Sequence, residues 1–414
     1  MNIVTINNLP RFSDTSRWDF ELVRYQDFVS HDEHAVTYIV NQRGLSGVTA
    51  PAGSYALYQL DRLNEAAAYR PILQEVIGKH GPIDRLIVFS ESLQDVASQL
   101  REEFDIVGNR PEQNRLGRDK ILMKEKVSAQ GLRVPHFTSV SAGQVDAALS
   151  FAAKVGYPLI LKPIDGQSSS GVKKLDSEAE LRAAIDAMPA QGHQDLEEFI
   201  DGQLFHIDGL VDPQGRVVFV VPSRYVNNCL DFTFGAPLGA VMLDRDSALH
   251  EAVSLFTVAC VEAIGLRGCP FHLELFRTAK GELVFLEVGA RVGGADVPYM
   301  IDKTRGINLF GEWLKMIMGE EISVSNGSAT VGGWLIFPRP DGLPLRVTTV
   351  SDFQGKVGSL YRQLVPKHGE LIEHEEGYCS MQSGRFLFCA DSTERVLTDM
   401  QSVMRDFSIT TTVP

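Results

Sequence analysis

The chain of 414 residues contains few cysteines, and none of them forms a C-x-x-C pair. The five cysteines are scattered and odd in number, which argues against a disulfide framework or a zinc site and favours reduced thiols. Long apolar segments that could span a bilayer are also missing. The first residues, Met1–Asn7, lack the basic and apolar regions of a signal peptide. The sequence therefore predicts a cytoplasmic protein without a membrane partner.

Positive charge is scarce as well, since 39 lysines and arginines stand against 53 aspartates and glutamates, for a formal net charge of −14. This balance argues against broad binding to nucleic acid or to anionic membranes. The sequence has no G-x-G-x-x-G fingerprint, no internal repeats and no low-complexity segment, so a dinucleotide site is not expected. What remains is an ordinary globular composition in a chain long enough for two or three domains.

Short apolar segments alternate with helical ones in the first part of the chain. The predicted strands are Ile3–Ile6, Ala35–Val40, Arg85–Phe89 and Phe104–Val107, and the predicted helices are Tyr58–Ala68 and Glu91–Glu103. Strands that alternate with helices favour a parallel α/β domain. We place this domain at residues 1–114.

Two apolar segments later in the chain each contain one carboxylate, Glu274 in the first and Glu287 in the second. Thr278–Gly281 between them predicts a hairpin turn. If Lys280 and Gly281 are a two-residue loop, Glu274 lies directly opposite Glu287. Facing like charges destabilise a hairpin. A Mg²⁺ ion between them would remove that penalty and keep positions open for phosphates.

A lysine ends the apolar strand Pro158–Pro163. Lys162 normally needs a partner in such a strand. The Gly/Ser loop Asp165–Gly171 follows, and its backbone N–H groups and hydroxyls can bind phosphates. It is not a Walker A loop, because Val172 comes after Gly171. On these residues alone, a snorkelling lysine before a linker loop is an equally good interpretation.

The acidic segment Asp195–Gly202 encloses an apolar pair, Phe199 and Ile200. Its backbone could hydrogen-bond an adenine edge while the two apolar side chains cover the ring. Taken alone, such a segment is more often a polar linker.

Three residues around the acidic hairpin have open interpretations. His272 shares a strand face with Glu274, and it either orients that glutamate or is a satisfied core histidine. Gly293 and Gly294 follow Arg291 and either let the backbone approach a substrate closely or mark a turn.

A polar and aromatic segment, Arg224–Gly235, follows a predicted strand. Its charges and rings suit recognition of an amino-acid-like substrate, with Arg224 and Asp231 as candidate contacts. An ordinary surface loop is an equally good interpretation.

In their order along the chain, these elements resemble the ATP-grasp superfamily. Lys120 comes first, and Lys162, the Gly/Ser loop, the connector Glu197–Ile200 and the acidic hairpin follow it. The resemblance covers residues 115–320 and implies an ATP-grasp fold, α/β and α+β, with ATP between two subdomains. It implies a small subdomain at 115–196 and a large one at 197–414, after an N-terminal pre-ATP-grasp domain.

The resemblance also implies roles for single residues. The nucleotide contacts that it implies are Lys120, Lys162, Ser168, Ser169, Ser170, Gly171, Glu197, Glu198, Phe199, Ile200 and His206. The lysines would contact the phosphates, and Ser168–Gly171 would form a mobile phosphate lid. The connector would hold adenine, and His206 would contact the ribose or the base. Glu274 and Glu287 would ligate Mg²⁺, with Mn²⁺ as the alternative. Arg291 would be catalytic, in contact with the transferred phosphate or the acyl group.

The segment Glu287–Gly294, together with His272–Glu274, is similar to the branch of L-amino-acid ligases and related carboxylate–amine ligases. It implies amide formation, as a dipeptide, through an acyl phosphate with release of ADP and phosphate. Gly289 departs from the pattern, because many superfamily members carry asparagine there. One metal ligand would then be missing or replaced by water.

Two alternatives stay open. The ligase could load an amino acid or acyl group onto a carrier protein or an unusual amine, or the chain could be a non-catalytic ATP-binding protein. The partners implied by the resemblance are small-molecule carboxylate and amine substrates, amino acids above all, and no nucleic acid. Since related ligases are often dimers, a homodimer is an expectation to test.

Overall fold

In a computed structural model, the strands of the described residues assemble into four sheets. The structure describes residues 1–12, 20–166, 171–227, 229–233, 235–324, 327–373 and 382–414. Within these ranges, no helix has both the length and the apolar character that crossing a bilayer requires.

The first sheet is parallel and has helices packed on it. Its strands are β1 (Asn2–Asn7), β2 (Ala35–Val40), β3 (Ala56–Gln59) and β4 (Arg85–Val88), and its helices are α1 (Ala66–His80) and α2 (Gln94–Glu103). The strand order is β3-β2-β1-β4. Because side chains alternate along a strand, Val4 and Ile6 pack with α1 and α2, whereas Ile3 and Tyr38 join the main core. The predicted parallel α/β arrangement is confirmed.

Two local predictions in this region are wrong. Residues 104–107 form a turn after α2 and not a strand, and Asp105 takes a positive φ of 52° that ends extended structure. Tyr58 lies in β3, and the helix begins only at Ala66. Tyr58 pairs with Ile39 of β2, so the sheet edge overrides the helical preference of this segment.

The second sheet, called the small sheet, is antiparallel in the order β5-β8-β6-β7. Its strands are β5 (Phe137–Ser141), β6 (Leu159–Pro163), β7 (Lys173–Leu175) and β8 (His193–Glu198). Helices α5 (Val145–Val155) and α6 (Glu178–Asp186) cover it and share its own core. Two helices precede it, α3 (Pro111–Arg115) and α4 (Lys120–Ala129).

The third sheet, called the large sheet, has eight strands in the order β13-β12-β9-β10-β11-β14-β18-β16. They are β9 (Gly202–Val211), β10 (Val217–Tyr225), β11 (Leu238–Met242), β12 (Cys269–Thr278), β13 (Leu283–Gly289), β14 (Val331–Pro338), β16 (Leu360–Leu364) and β18 (Gln382–Ala390). Its helices are α7 (Cys229–Thr233), α8 (Ala248–Ile264), α9 (Val297–Arg305), α10 (Leu309–Met318) and α11 (Thr393–Asp406). The last sheet is small and consists of β15 (Leu345–Val350), β17 (Leu371–Ile372) and β19 (Ile409–Thr412).

The large sheet carries the main hydrophobic core, and the first sheet packs into it. Phe89, which follows β4, lies against Phe310 and Trp313 of α10 at ring-centroid distances of 5.5 and 5.1 Å. The domain limits drawn from the sequence stay predictions. Strand β8 extends past the limit at residue 196 and reduces the predicted connector to residues 199–201.

The acidic hairpin forms from β12 and β13, with Glu274 opposite Glu287 as predicted. The predicted turn is wrong, because the loop has three residues and not two. Gly281 ends it with a φ of +84° and donates its N–H to Thr278 O at 2.9 Å. The longer loop shifts the register by one residue. A bulge at Leu286 of β13 shifts it back before the glutamates.

Candidate active site

A cavity of about 540 Å³ lies between the small sheet and the large sheet. Ile160 and Lys162 of β6 line one side, Glu274 and Phe276 of β12 line the other, and residues 199–201 connect the two. The volume is that of a site for a drug-sized ligand. This cavity is therefore a candidate binding space, and the predicted site residues can be placed relative to it.

Two lysine ammonium groups line this cavity. Lys120, the first residue of α4, is nearly buried and donates to Gly166 O at 2.7 Å. Its Nζ is 3.5 Å from Glu287 Oε2. Lys162 Nζ is 2.7 Å from Glu197 Oε1. Both groups are placed where a polyanion could reach them, and their contact with phosphate stays a prediction.

Glu197 lies in β8 and not in a connector, and its carboxylate is bound within the protein. Lys124 Nζ donates to Glu197 Oε2 at 2.6 Å and also to Asp195. Sequence reasoning did not single out Lys124. Its helical spacing from Lys120 places both lysines on one face of α4, but nothing in the sequence identifies the carboxylates that Lys124 binds.

The connector brings its apolar pair to the cavity. Phe199 and Ile200 both line it, and Lys174 Nζ lies 5.0 Å from the centroid of the Phe199 ring. Glu198 uses its carboxylate elsewhere, since it accepts hydrogen bonds from Arg133 at 2.9 and 2.8 Å. The prediction that Phe199 and Ile200 cover a ring therefore fits the cavity, whereas the Glu198 side chain is committed to Arg133.

Glu274 and Glu287 line the large cavity and also a smaller polar cavity beside it. Glu274 Oε1 accepts a hydrogen bond from the Tyr225 hydroxyl at 2.8 Å, and His272 Nε2 lies 3.8 Å from the same oxygen. Burial works against ionisation of Glu274, but His272 and the Tyr225 hydroxyl outweigh it and lower the pKa of this carboxyl. Two facing carboxylates, one of them held ionised, are a donor set that fits a divalent cation.

Behind Glu274, His206, Asp208 and His272 form a buried cluster. Each imidazole Nδ1 bonds its own oxygen of Asp208, at 2.7 Å for His206 and 2.8 Å for His272. Burial disfavours the charged His272 ring, but Asp208 outweighs it and raises the pKa of His272 to about 9. The three side chains are close enough to hold a metal ion. Their short, paired hydrogen bonds already account for the arrangement.

His206 lies behind the wall of the large cavity, and its contact with the nucleotide stays a prediction. Its side chain is fully buried and lines neither of the two cavities. The rings of Tyr225, His272 and Trp334 lie around it at centroid distances of 4.9, 5.3 and 6.3 Å. His206 therefore supports the wall of the site from behind.

Arg291 lines the smaller cavity and is engaged by a residue from the N-terminal part of the chain. Its Nε donates to Glu91 Oε2 at 2.5 Å, and Arg118 donates to Glu91 Oε1 at 2.9 Å. Sequence reasoning missed Glu91, because nothing in its local sequence links it to a residue 200 positions later. The structure thus brings an acid and two arginines together beside Glu274 and Glu287.

The two predicted substrate contacts differ in their position relative to the large cavity. Asp231 lines the large cavity. Arg224 lies within β10 and not in a loop, and it does not line the cavity, because its neighbour Tyr225 occupies the cavity side of the strand. The contact of Arg224 with a substrate stays a prediction that this geometry does not favour.

The two glycines after Arg291 also differ. A Cβ at Gly293 would lie 2.3 Å from Asp208 Oδ1 and 3.1 Å from His272 Nδ1, so the backbone approaches these two side chains closely. Its approach to a substrate stays a prediction. A Cβ at Gly294 would meet no atom within 4 Å.

Among the predicted lid residues, Gly171 takes a φ of +73°, and Ser168, Ser169 and Ser170 lie outside the described residues.

Several known proteins are similar to this chain in sequence or in structure. The family model described as an ATP-grasp domain matches residues 155–298. An L-arginine-specific L-amino acid ligase from Bacillus subtilis is 24% identical over 349 residues, which are 82% of this chain and 83% of the relative. A D-alanine–D-alanine ligase from Stutzerimonas stutzeri (strain A1501) is 29% identical over 223 residues, which are 51% of this chain and 67% of the relative.

The crystal structure of an L-amino acid ligase from Bacillus licheniformis has a TM-score of 0.71 to this chain at 19% identity. The alignment covers 100% of this chain and 99% of that protein. The fold expected from the sequence and the resemblance on which it rested are confirmed by these comparisons.

Proposed function

We propose, on the premise that residues 155–298 form an ATP-grasp domain, that the protein is an ATP-dependent ligase joining a carboxylate to an amine. The observation that carries this proposal is the pair Glu274 and Glu287, which face each other across a hairpin and line the same cavity as Lys120 and Lys162. Carboxylates for a cation and ammonium groups for phosphates are thereby present in one space. ADP and phosphate are the expected products.

ATP is proposed to occupy the large cavity. Phe199 and Ile200 would cover the base, and Lys120 and Lys162 would bind phosphate oxygens. Glu274 and Glu287 would hold Mg²⁺, which neutralises phosphate charge and orients the transferred group. The lid assignment of Ser168–Ser170 and Gly171 stays part of the proposal.

The reaction activates a poor electrophile. A carboxylate oxygen attacks the γ-phosphorus of ATP, the bond to ADP breaks, and an acyl phosphate forms. The amine then attacks the acyl carbon and expels phosphate. Lys120 and Lys162 would position the phosphates. Arg291, at the smaller cavity, would stabilise the oxyanion that develops on the acyl group.

Amino acids are the proposed substrates, and a dipeptide is the proposed product. The relatives named as an L-amino acid ligase and a D-alanine–D-alanine ligase support this choice. The site itself supports it as well. Around the smaller cavity, the carboxylate of Glu91 and the guanidinium groups of Arg118 and Arg291 supply both signs of charge, and such groups near the site would suit a zwitterionic substrate.

The test measures phosphate release by the purified protein with ATP, Mg²⁺ and pairs of amino acids, and identifies products by mass spectrometry. Glu287→Gln is expected to slow release by more than about 100-fold, because loss of even an outer partner of a metal site costs about 10–100-fold. Glu282→Gln, in the same hairpin but outside both cavities, is the matched control. Equal phosphate release by Glu287→Gln and the wild type would remove the proposed metal role.

A further inference from the structure

Four charged side chains form a buried cluster under the floor of the large cavity. They come from α4, β6 and β8, and they are Lys124, Lys162, Asp195 and Glu197. Lys124 and Asp195 are fully buried, and Lys162 and Glu197 nearly so. Two ammonium groups and two carboxylates give the cluster no net charge. Burying so many charges is costly unless each has a partner.

Glu197 is the shared member of this cluster. One carboxylate oxygen, Oε1, lies 2.7 Å from Lys162 Nζ, and the other, Oε2, accepts a hydrogen bond from Lys124 Nζ at 2.6 Å. Lys124 also donates to Asp195, whereas Lys162 Nζ is 3.9 Å from Asp195. Glu197 is therefore held between the two lysines, one on each oxygen.

Only half of the cluster reaches the large cavity. Lys162 and Glu197 line it, whereas Lys124 and Asp195 lie behind them and outside its lining. A phosphate in the cavity can therefore reach Lys162 directly. It then competes with Glu197 for the Lys162 ammonium group.

We propose that Lys124 is a positioning residue for phosphate binding, which keeps Glu197 neutralised while Lys162 turns to the nucleotide. The inference rests on the proposed function, since it assumes that ATP occupies this cavity. Without Lys124, a phosphate that draws Lys162 away would leave Glu197 buried without a cation. Lys162 would then stay paired with Glu197, and less positive charge would be available to bind the phosphates.

The pKa values of the two carboxyl groups in the cluster agree with this role of Lys124. Burial works against the charge on Glu197, but Lys162 and Lys124 outweigh it and lower the pKa of Glu197 to about 2. Burial, together with the charge of Glu197, raises the pKa of Asp195 to about 6. Glu197 thus keeps its charge near neutral pH, whereas Asp195 can give up its own at little cost when Lys124 is removed.

The experiment measures binding of two probes by calorimetry, the non-hydrolysable analogue AMP-PNP with Mg²⁺ and adenosine, which lacks phosphates. Lys124→Met is expected to weaken AMP-PNP binding about 10- to 100-fold, the range of one charged hydrogen bond, and to leave adenosine binding unchanged. In the Glu197→Gln background, adding Lys124→Met is expected to change AMP-PNP affinity by less than about twofold, because the group that Lys124 neutralises is gone. Lys126→Met, also on α4 but outside the cavity lining, is the matched control.

The outcomes separate this inference from the proposed function. A wild-type protein that binds neither probe would overturn the proposed function itself. Wild-type affinity for AMP-PNP in Lys124→Met would overturn the inference alone, and so would an equal loss of both probes, which indicates a purely structural role. If Lys124→Met does not fold, the Glu197→Gln protein and the double variant are compared. A loss of AMP-PNP affinity well above twofold between them would overturn the inference.

Discussion

The carboxylate of Glu274 is oriented by Tyr225 from another strand and by His272 from its own strand. The Tyr225 hydroxyl of β10 donates to its Oε1, and His272 stands beside the same oxygen, held in place by Asp208 of β9. Outer partners of this kind fix the direction of a metal-ligating oxygen. We therefore expect metal affinity to depend on the orientation of Glu274 as well as on its charge.

Tyr225→Phe tests this expectation, since it keeps the ring and removes only the hydroxyl. The affinity of the protein–nucleotide complex for Mn²⁺ is expected to fall about tenfold, because Glu274 loses its hydrogen bond. The measurement is a Mn²⁺ titration followed by electron paramagnetic resonance in the presence of AMP-PNP. Tyr58→Phe is the control, because its hydroxyl bonds the exposed Glu75. Unchanged Mn²⁺ affinity in Tyr225→Phe would contradict an orienting role for the hydroxyl.

Sequence reasoning could identify charged side chains that lie in apolar strands, because such residues are unusual there. Lys162 in an apolar strand and Glu274 and Glu287 in apolar strands are such cases, and the structure gathers them at one cavity. It could not find Lys124, which looks like any lysine of a basic helix, because its partners lie 71 and 73 residues later. Nor could it orient His206, since strand alternation does not reveal which rings from neighbouring strands will cover a side chain.

The hairpin of β12 and β13 shows how a correct pairing can rest on an incorrect turn. A three-residue loop alone would displace Glu274 from Glu287, and the bulge at Leu286 restores the match. Nothing in the sequence marks the bulge, because Leu286 is apolar like Leu283, Val284 and Phe285 before it. The bulge also interrupts the strict alternation of faces, so the consecutive residues Leu286 and Glu287 both line the large cavity.

The segment between β13 and α9 packs tightly at one glycine and loosely at the next. Gly293→Ala is expected to destabilise the protein by about 1–3 kcal/mol, because the new Cβ would lie 2.3 Å from Asp208 Oδ1 and 2.8 Å from Val297 Cγ1. Gly294→Ala is the matched control, since its Cβ would meet nothing within 4 Å. The free energy of unfolding from urea denaturation checks both variants. Equal stability of the two would contradict the packing of Gly293 against Asp208.

Distant parts of the chain meet at this same segment. Glu91 from the N-terminal part bonds Arg291, and Arg385 of β18 donates to Asp296 Oδ2 at 3.2 Å and also to its other oxygen. Asp296 and Arg385 are both buried. Strand β18 of the C-terminal region thus contacts the segment that carries Arg291.

Arg385→Met is expected to cost about 3–5 kcal/mol of stability, because it removes the guanidinium that neutralises the buried Asp296. Arg395→Met in α11 is the control, since its ion pair with Asp399, at 3.4 Å, has a half-exposed arginine. Such surface pairs contribute less than about 1 kcal/mol. Thermal and urea denaturation of both variants provide the measurement. A similar, small loss of stability in both variants would contradict a stabilising role of the buried ion pair.

The pairing of Asp296 with Arg385 has a consequence for the synthesis of the chain. Arg385 follows its partner by 89 residues, so the ribosome releases the nucleotide-binding residues and Arg291 well before it releases Arg385. Until then, the ion pair between Asp296 and Arg385 cannot form, so the contact that ties β18 to the segment after β13 is made only late in synthesis.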